Sequence, residues 1–103
     1  MKYRTTPQFE RDYNKLSKTE KAKFHEALKV FIQSCKAWEY DSASHSWPSS
    51  LRFEKLKGAQ GVCAITWSFS GPDGRATFHF ESTHGERIVV WRRVGLHAIY
   101  KNP

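Results

Sequence analysis

Apolar residues recur at helical spacing through the first third of the chain and at alternate positions through its second half. Thr6-Pro7 reads as an N-cap followed by proline at the first helical position. Phe9, Tyr13 and Leu16 then follow at helical spacing and predict a first short helix. Ser17-Lys-Thr-Glu20 matches a capping box, in which the Ser and Glu side chains satisfy exposed backbone donors. It opens a second, longer helix whose stripe is Phe24, Leu28, Phe31, Ile32 and Cys35. Lys21, Lys23, Lys29 and Lys36 lie off that stripe, as a solvated helix face or a patch for a polyanion.

The polar segment from Tyr40 to Ser50, closed by Pro48, reads as a loop within one domain. Beyond it the period changes to two. Leu51 and Phe53 alternate with Arg52 and Glu54, and Gly58 to Gly61 supplies a turn. Cys63, Ile65, Trp67 and Phe69 alternate with Ala64, Thr66 and Ser68. Gly71-Pro-Asp-Gly74 is a strong turn signal, and Ala76, Phe78 and Phe80 alternate after it with Arg75, Thr77 and His79. Thr83-His-Gly85 marks another turn, and Ile88 to Val94 forms the last strand. Lys2 to Thr5 is a weaker candidate for a short first strand. The pattern predicts one α+β domain over residues 1–103: two N-terminal helices packed on an antiparallel sheet of about four strands.

Charge turns this fold towards a function. The 103 residues carry a formal net charge of +7, with 39% hydrophobic and 15% aromatic residues. A packed core is feasible, and the positive balance fits nucleic acid or another acidic partner. No apolar run reaches the roughly 20 residues of a membrane span, and the first residues lack the apolar core of a secretory signal. A cytoplasmic setting is therefore expected. Cys35 and Cys63 do not form a metal-type pair and are expected as buried free thiols. No metal-binding acidic cluster is visible, so neither metal nor cofactor is expected.

Metal-free RNA cleavage needs a group to take the 2′-hydroxyl proton, cations for the phosphate and an acid for the leaving 5′-oxygen. His97 is the leading proton carrier, since an imidazole titrates near neutrality. Arg75 opens a strand and can bind phosphate. Arg92 and Arg93 are strand neighbours and should point to opposite faces. Arg93 is favoured for the site because it is expected to share a face with Val89 and Trp91. Arg52, Lys55 and Lys57 are candidates for guiding the RNA backbone, with Arg92 and His79 as further RNA contacts. Tyr100 either stacks a base or packs back on the sheet.

The order Phe9-x-Arg-x-Tyr-x-x-Leu16, a long second helix, Leu51-Arg-x-x-Lys-Leu-Lys-Gly58, Asp-Gly-Arg75 and Gly95-x-His-x-x-Tyr100 resembles the RelE/ParE superfamily of bacterial toxins over nearly the whole chain. The resemblance implies a compact α+β toxin of a type II toxin–antitoxin system, neutralised by a cognate antitoxin in a hetero-oligomer. RelE-like members cleave mRNA on the ribosome and inhibit translation, whereas ParE-like members inhibit DNA gyrase. A non-toxic binding module on the same fold is a third alternative. Residue by residue, the resemblance implies that Arg75 stabilises the scissile phosphate. Arg93 and His97 match the Arg-x-Gly-x-His ending of the YafQ-like branch, and Tyr100 resembles its terminal aromatic at a spacing one residue shorter. One departure stands out. RelE has lysines and YafQ a histidine on the strand matching Val62 to Trp67, where this chain has Ala64 and Thr66. Either His79, Lys55 or Tyr100 substitutes, or the 5′-oxygen leaves with ribosomal or solvent help, or the activity is weak.

Overall fold

A computed structural model describes residues 2–41, 43, 45–69 and 73–103. Local signals set the helices. In α1 (Pro7–Asn14) the Thr6 hydroxyl accepts from the Phe9 amide with proline at the first position. In α2 (Lys18–Tyr40) both halves of the capping box form: Glu20 N donates to Ser17 Oγ at 3.1 Å and Ser17 N donates to Glu20 Oε1 at 2.8 Å. Replacing Ser17 by Ala should therefore cost about 1 kcal/mol, measurable as a lowered urea midpoint with an unchanged slope.

The remaining elements are β1 (Lys2–Thr5), a 3₁₀ turn (Ser49–Leu51), β2 (Glu54–Lys55), β3 (Cys63–Ser68), β4 (Gly74–Thr83), β5 (Glu86–Leu96) and a second 3₁₀ turn (His97–Lys101). The strands form one sheet in the order β1-β5-β4-β3-β2. The predicted α+β architecture with two helices on a sheet is present, but the sheet is mixed rather than antiparallel. β1 pairs parallel with β5, placing Lys2 beside Ile88 and Thr5 beside Trp91. The connection from β1 to β5 runs through both helices and the other strands, so no hairpin constrains their relative direction. Only β2 to β5 follow the expected antiparallel order.

Both helices contribute to a core built on one sheet face. Phe9, Phe24, Phe31 and Cys35 meet Cys63, Ile65, Trp67, Ala76, Phe78, Val89, Trp91 and Val94. Both cysteines are free and buried, and burial pushes the Cys35 thiol up to about 12. Among the described residues no helix is long and apolar enough to cross a membrane.

Three expectations need correction. Leu51 and Phe53 do not lie in a strand: Leu51 ends the first 3₁₀ turn, Arg52 takes a left-handed φ of 43°, and β2 is only Glu54–Lys55. Ile32 and Phe69 are not core residues, being 43% and 51% exposed. Ile32 sits one position round the helix from Phe31, and Phe69 falls beyond the end of β3, beneath the Arg52 guanidinium. The third correction bears on the site. Thr77 pairs with Arg93 but Phe78 pairs with Trp91, so Arg92 is the extra residue of a β-bulge. The bulge shifts the side-chain phase of β5. Val89, Trp91 and Val94 face the helices, and Arg93 does not share their face as alternation predicted. The predicted turn at Gly71-Pro72 lies outside the described residues, whereas the turn at His84-Gly85 forms with both residues at positive φ.

Candidate active site on the open face of the sheet

The sheet face away from the helices carries Ala64 and Thr66 of β3, Arg75, Thr77 and His79 of β4, and Arg93 and Gly95 of β5. The 3₁₀ turn after β5 packs back on β4 and β5 over this face. Its buried Ile99 lies over Gly95, where a Cβ would stand 3.1 Å from Ile99 Cγ2. Gly95 thus leaves room for the turn, which carries His97 and Tyr100 across the sheet.

Tyr100 packs back rather than standing free. Its hydroxyl donates to Glu54 Oε1 at 2.8 Å, bridging to β2. Burial, the Glu54 hydrogen bond and the Glu54 charge push the phenol well above its ordinary value, while the nearby Arg75 guanidinium opposes them. Tyr100 therefore remains a protonated donor near neutrality and is unsuited to act as a base. The exposed His97 ring lies against it, with centroids 4.8 Å apart.

Arg75 forms the floor. Its Nη1 donates to Thr66 Oγ1 at 2.6 Å, and its Nη2 lies 3.3 Å from Asp73 Oδ2. The side chain is 15% exposed, and among the described residues its buried Nε has no hydrogen-bond partner. A partly desolvated guanidinium with an unused donor is suited to an anion. Arg52 stands at the edge, its Nη1 3.9 Å from Asp73 Oδ2 and its guanidinium 4.9 Å from the Phe69 ring centre. Lys55 on β2 and Lys57 in the following turn are exposed.

The structure thus gathers Arg75, His97 and Tyr100, with Arg52 linked to them through Asp73. It gives Arg92, Arg93 and His79 other partners. Arg93 donates through Nε and Nη2 to Asp12 of α1, at 2.6 and 3.2 Å, and through Nη1 to the Asn102 carbonyl at 3.1 Å. Arg92 donates through Nε to the Pro103 carbonyl, and its Nη1 contacts His79 Nδ1 at 3.0 Å. His79 Nε2 lies 3.0 Å from Glu81, which also accepts from Arg4. The carboxylate needs a proton on Nε2, which leaves Nδ1 of a neutral ring to accept from Arg92. His79 is thus held in a different network from Tyr100.

Ala64 and Thr66, where the resemblance implies basic residues, are 0% and 2% exposed. Thr66 supports Arg75, and Ala64 pairs with Glu54. Sequence reasoning missed Glu54, which appeared only as a polar partner in an alternation. Its sole signal was its place before Lys55-Leu-Lys-Gly58. Asp73 was hidden within a turn motif. Among the described residues no group of three or more His, Cys, Asp and Glu side chains is placed to hold a metal ion. No protein-family model, curated protein or solved structure matches this chain.

Proposed function

We propose that this chain is a toxin of the RelE type, an endoribonuclease that cleaves mRNA on the ribosome by metal-independent attack of the 2′-hydroxyl. The observation that carries the reading is the meeting of Arg75, Glu54, Tyr100 and His97 on one sheet face of a chain with net charge +7. Arg75 supplies a charge-assisted donor for the phosphate. Glu54 supplies a carboxylate to receive the 2′-hydroxyl proton, and His97 an imidazole to protonate the leaving 5′-oxygen. Tyr100 donates to Glu54, and opening that bond would give substrate access to Arg75. Arg52, Lys55 and Lys57 offer positive charge for the flanking backbone. The missing basic residues of β3 then have a replacement one strand further out, in Glu54.

In this reading the ribosome aligns the 2′-hydroxyl, activity on free RNA is low, and a cognate antitoxin restrains the toxin in the cytoplasm. Induction of the chain, with mapping of cellular mRNA 5′-ends, should reveal new cuts within translated regions. They should be absent when Arg75 is replaced by Ala. DNA supercoiling measured in the same cells separates this function from gyrase inhibition. Growth arrest with altered supercoiling and intact mRNA would refute the nuclease reading, and unharmed growth would favour a non-toxic binding module.

A further inference from the structure

The bulge at Arg92 sends two adjacent guanidinium groups towards the same stretch of chain. Arg92 Nε reaches the Pro103 carbonyl at 3.0 Å and Arg93 Nη1 reaches the Asn102 carbonyl at 3.1 Å. These carbonyls immediately follow the 3₁₀ turn that bears His97 and Tyr100. The turn is therefore held at its start by β5 and beyond its end by β5 again.

Asp12 is the anchor of this arrangement. It is buried on α1 and accepts from Arg93 Nε at 2.6 Å, Arg93 Nη2 at 3.2 Å, the Val94 amide at 3.2 Å and Gln8 Nε2 at 3.1 Å. Burial opposes its ionisation, but the bonds from Arg93, Gln8 and Val94 prevail and hold the carboxyl below its ordinary value. An ionised Asp12 fixes the guanidinium plane by a two-pronged contact, leaving Nη1 aimed at Asn102. The side chains are only 22% and 8% exposed, so solvent competes weakly for this geometry.

We propose that Arg93, with Arg92, is a positioning residue: together with Asp12 it clamps the chain beyond the 3₁₀ turn and sets where His97 and Tyr100 stand beside Arg75. The clamp gives Arg93 a role other than the direct place in the site favoured from its expected strand face. The proposal rests on the nuclease reading for its catalytic consequence alone; the restraint on the turn stands apart from it.

The test compares Asp12→Asn, Arg93→Lys and their double variant by amide hydrogen exchange and by cleavage of mRNA on programmed ribosomes. Asn keeps the size of Asp12 without its charge. Lys keeps the charge of Arg93 but cannot hold Asp12 with two prongs while reaching Asn102. Both single variants should raise exchange at residues 98–102 about tenfold, with α2 still protected. Both should lower kcat about 10- to 100-fold through misplacement of the turn, with KM nearly unchanged. The double variant should be no worse than either single one. Loss of activity with a raised KM in Arg93→Lys, beside an unaltered Asp12→Asn, would overturn the clamp and return Arg93 to the substrate. If Asp12→Asn fails to fold, Arg92→Gln serves instead: it removes the bond to Pro103 without touching Asp12, and unchanged exchange at residues 98–102 would overturn the proposal. If the unmodified chain cuts no mRNA, the nuclease reading fails, and the exchange measurement still decides the clamp.

Discussion

Replacing Glu54 by Gln, or His97 by Ala, should lower mRNA cleavage on programmed ribosomes by roughly 10²–10⁴-fold, the range expected for loss of one acid–base group. The two substitutions probe different ends of the reaction. Gln at position 54 still offers a carbonyl oxygen to the Tyr100 hydroxyl, so the bridge between β2 and the 3₁₀ turn is kept while the proton acceptor is lost. His97 is exposed and its ring lies against that of Tyr100, outside the buried core, so its removal leaves the core intact. Surface changes of this kind alter stability by no more than about 0.5 kcal/mol. A large kinetic defect with an unchanged melting temperature is therefore the expected pairing. Growth arrest at full strength in His97→Ala would remove His97 from the mechanism. Full cleavage in Glu54→Gln would remove Glu54 and leave the second proton carrier to be sought on the ribosome. Tyr100→Phe makes a useful third comparison, because a phenol held protonated acts as a hydrogen-bond donor and not as a base.

The sequence announced what depends on near neighbours. The caps at Thr6 and Ser17 were legible because each is completed within three residues. The core stripe was legible at Phe24, Phe31 and Cys35, since helical periodicity places them on one face. Other features depend on contacts that no local pattern encodes. One additional residue at Arg92 reverses the alternation of β5, so a face assigned by counting from Trp91 comes out wrong at Arg93. The partner that holds the Arg93 guanidinium lies 81 residues away on another element. Glu54 looked like the solvent side of a strand because Phe53 precedes it, and only the return of the last 3₁₀ turn brings Tyr100 to it. Tyr100 itself had two readings, and the room above Gly95 that seats Ile99 selects the packed one. The residue types of the site were thus visible, but their division between chemistry and scaffolding required the bulge and the fold-back.

Gly74→Ala should be the most damaging small substitution in the sheet. The backbone there is not in the left-handed region, so alanine has no conformational objection; the difficulty is space. A Cβ at Gly74 would lie 2.4 Å from Trp67 Cε2 and 2.6 Å from Cδ2 and Cζ2, well inside ordinary contact. The indole has little freedom to retreat. It is 5% exposed, packs edge-on against Phe24, and donates from Nε1 to the Arg75 carbonyl at 2.8 Å. Relief requires shifting the ring into the core or moving the start of β4, and overpacking of this kind costs about 3 kcal/mol at the upper end of its usual range. At 4–8 °C per kcal/mol for a small domain, the melting temperature should fall by roughly 12–24 °C. The same displacement would disturb Arg75, the next residue along, so RNA cleavage should fall even at temperatures where the chain stays folded. A partner substitution checks the cause. Trp67→Ala removes the whole ring that position 74 meets, so the double variant should lose less stability than the two single variants together, a coupling expected for residues in contact. If Gly74→Ala melts with the unmodified chain, the indole does not cover position 74, and the packing that supports the floor of the site is wrong.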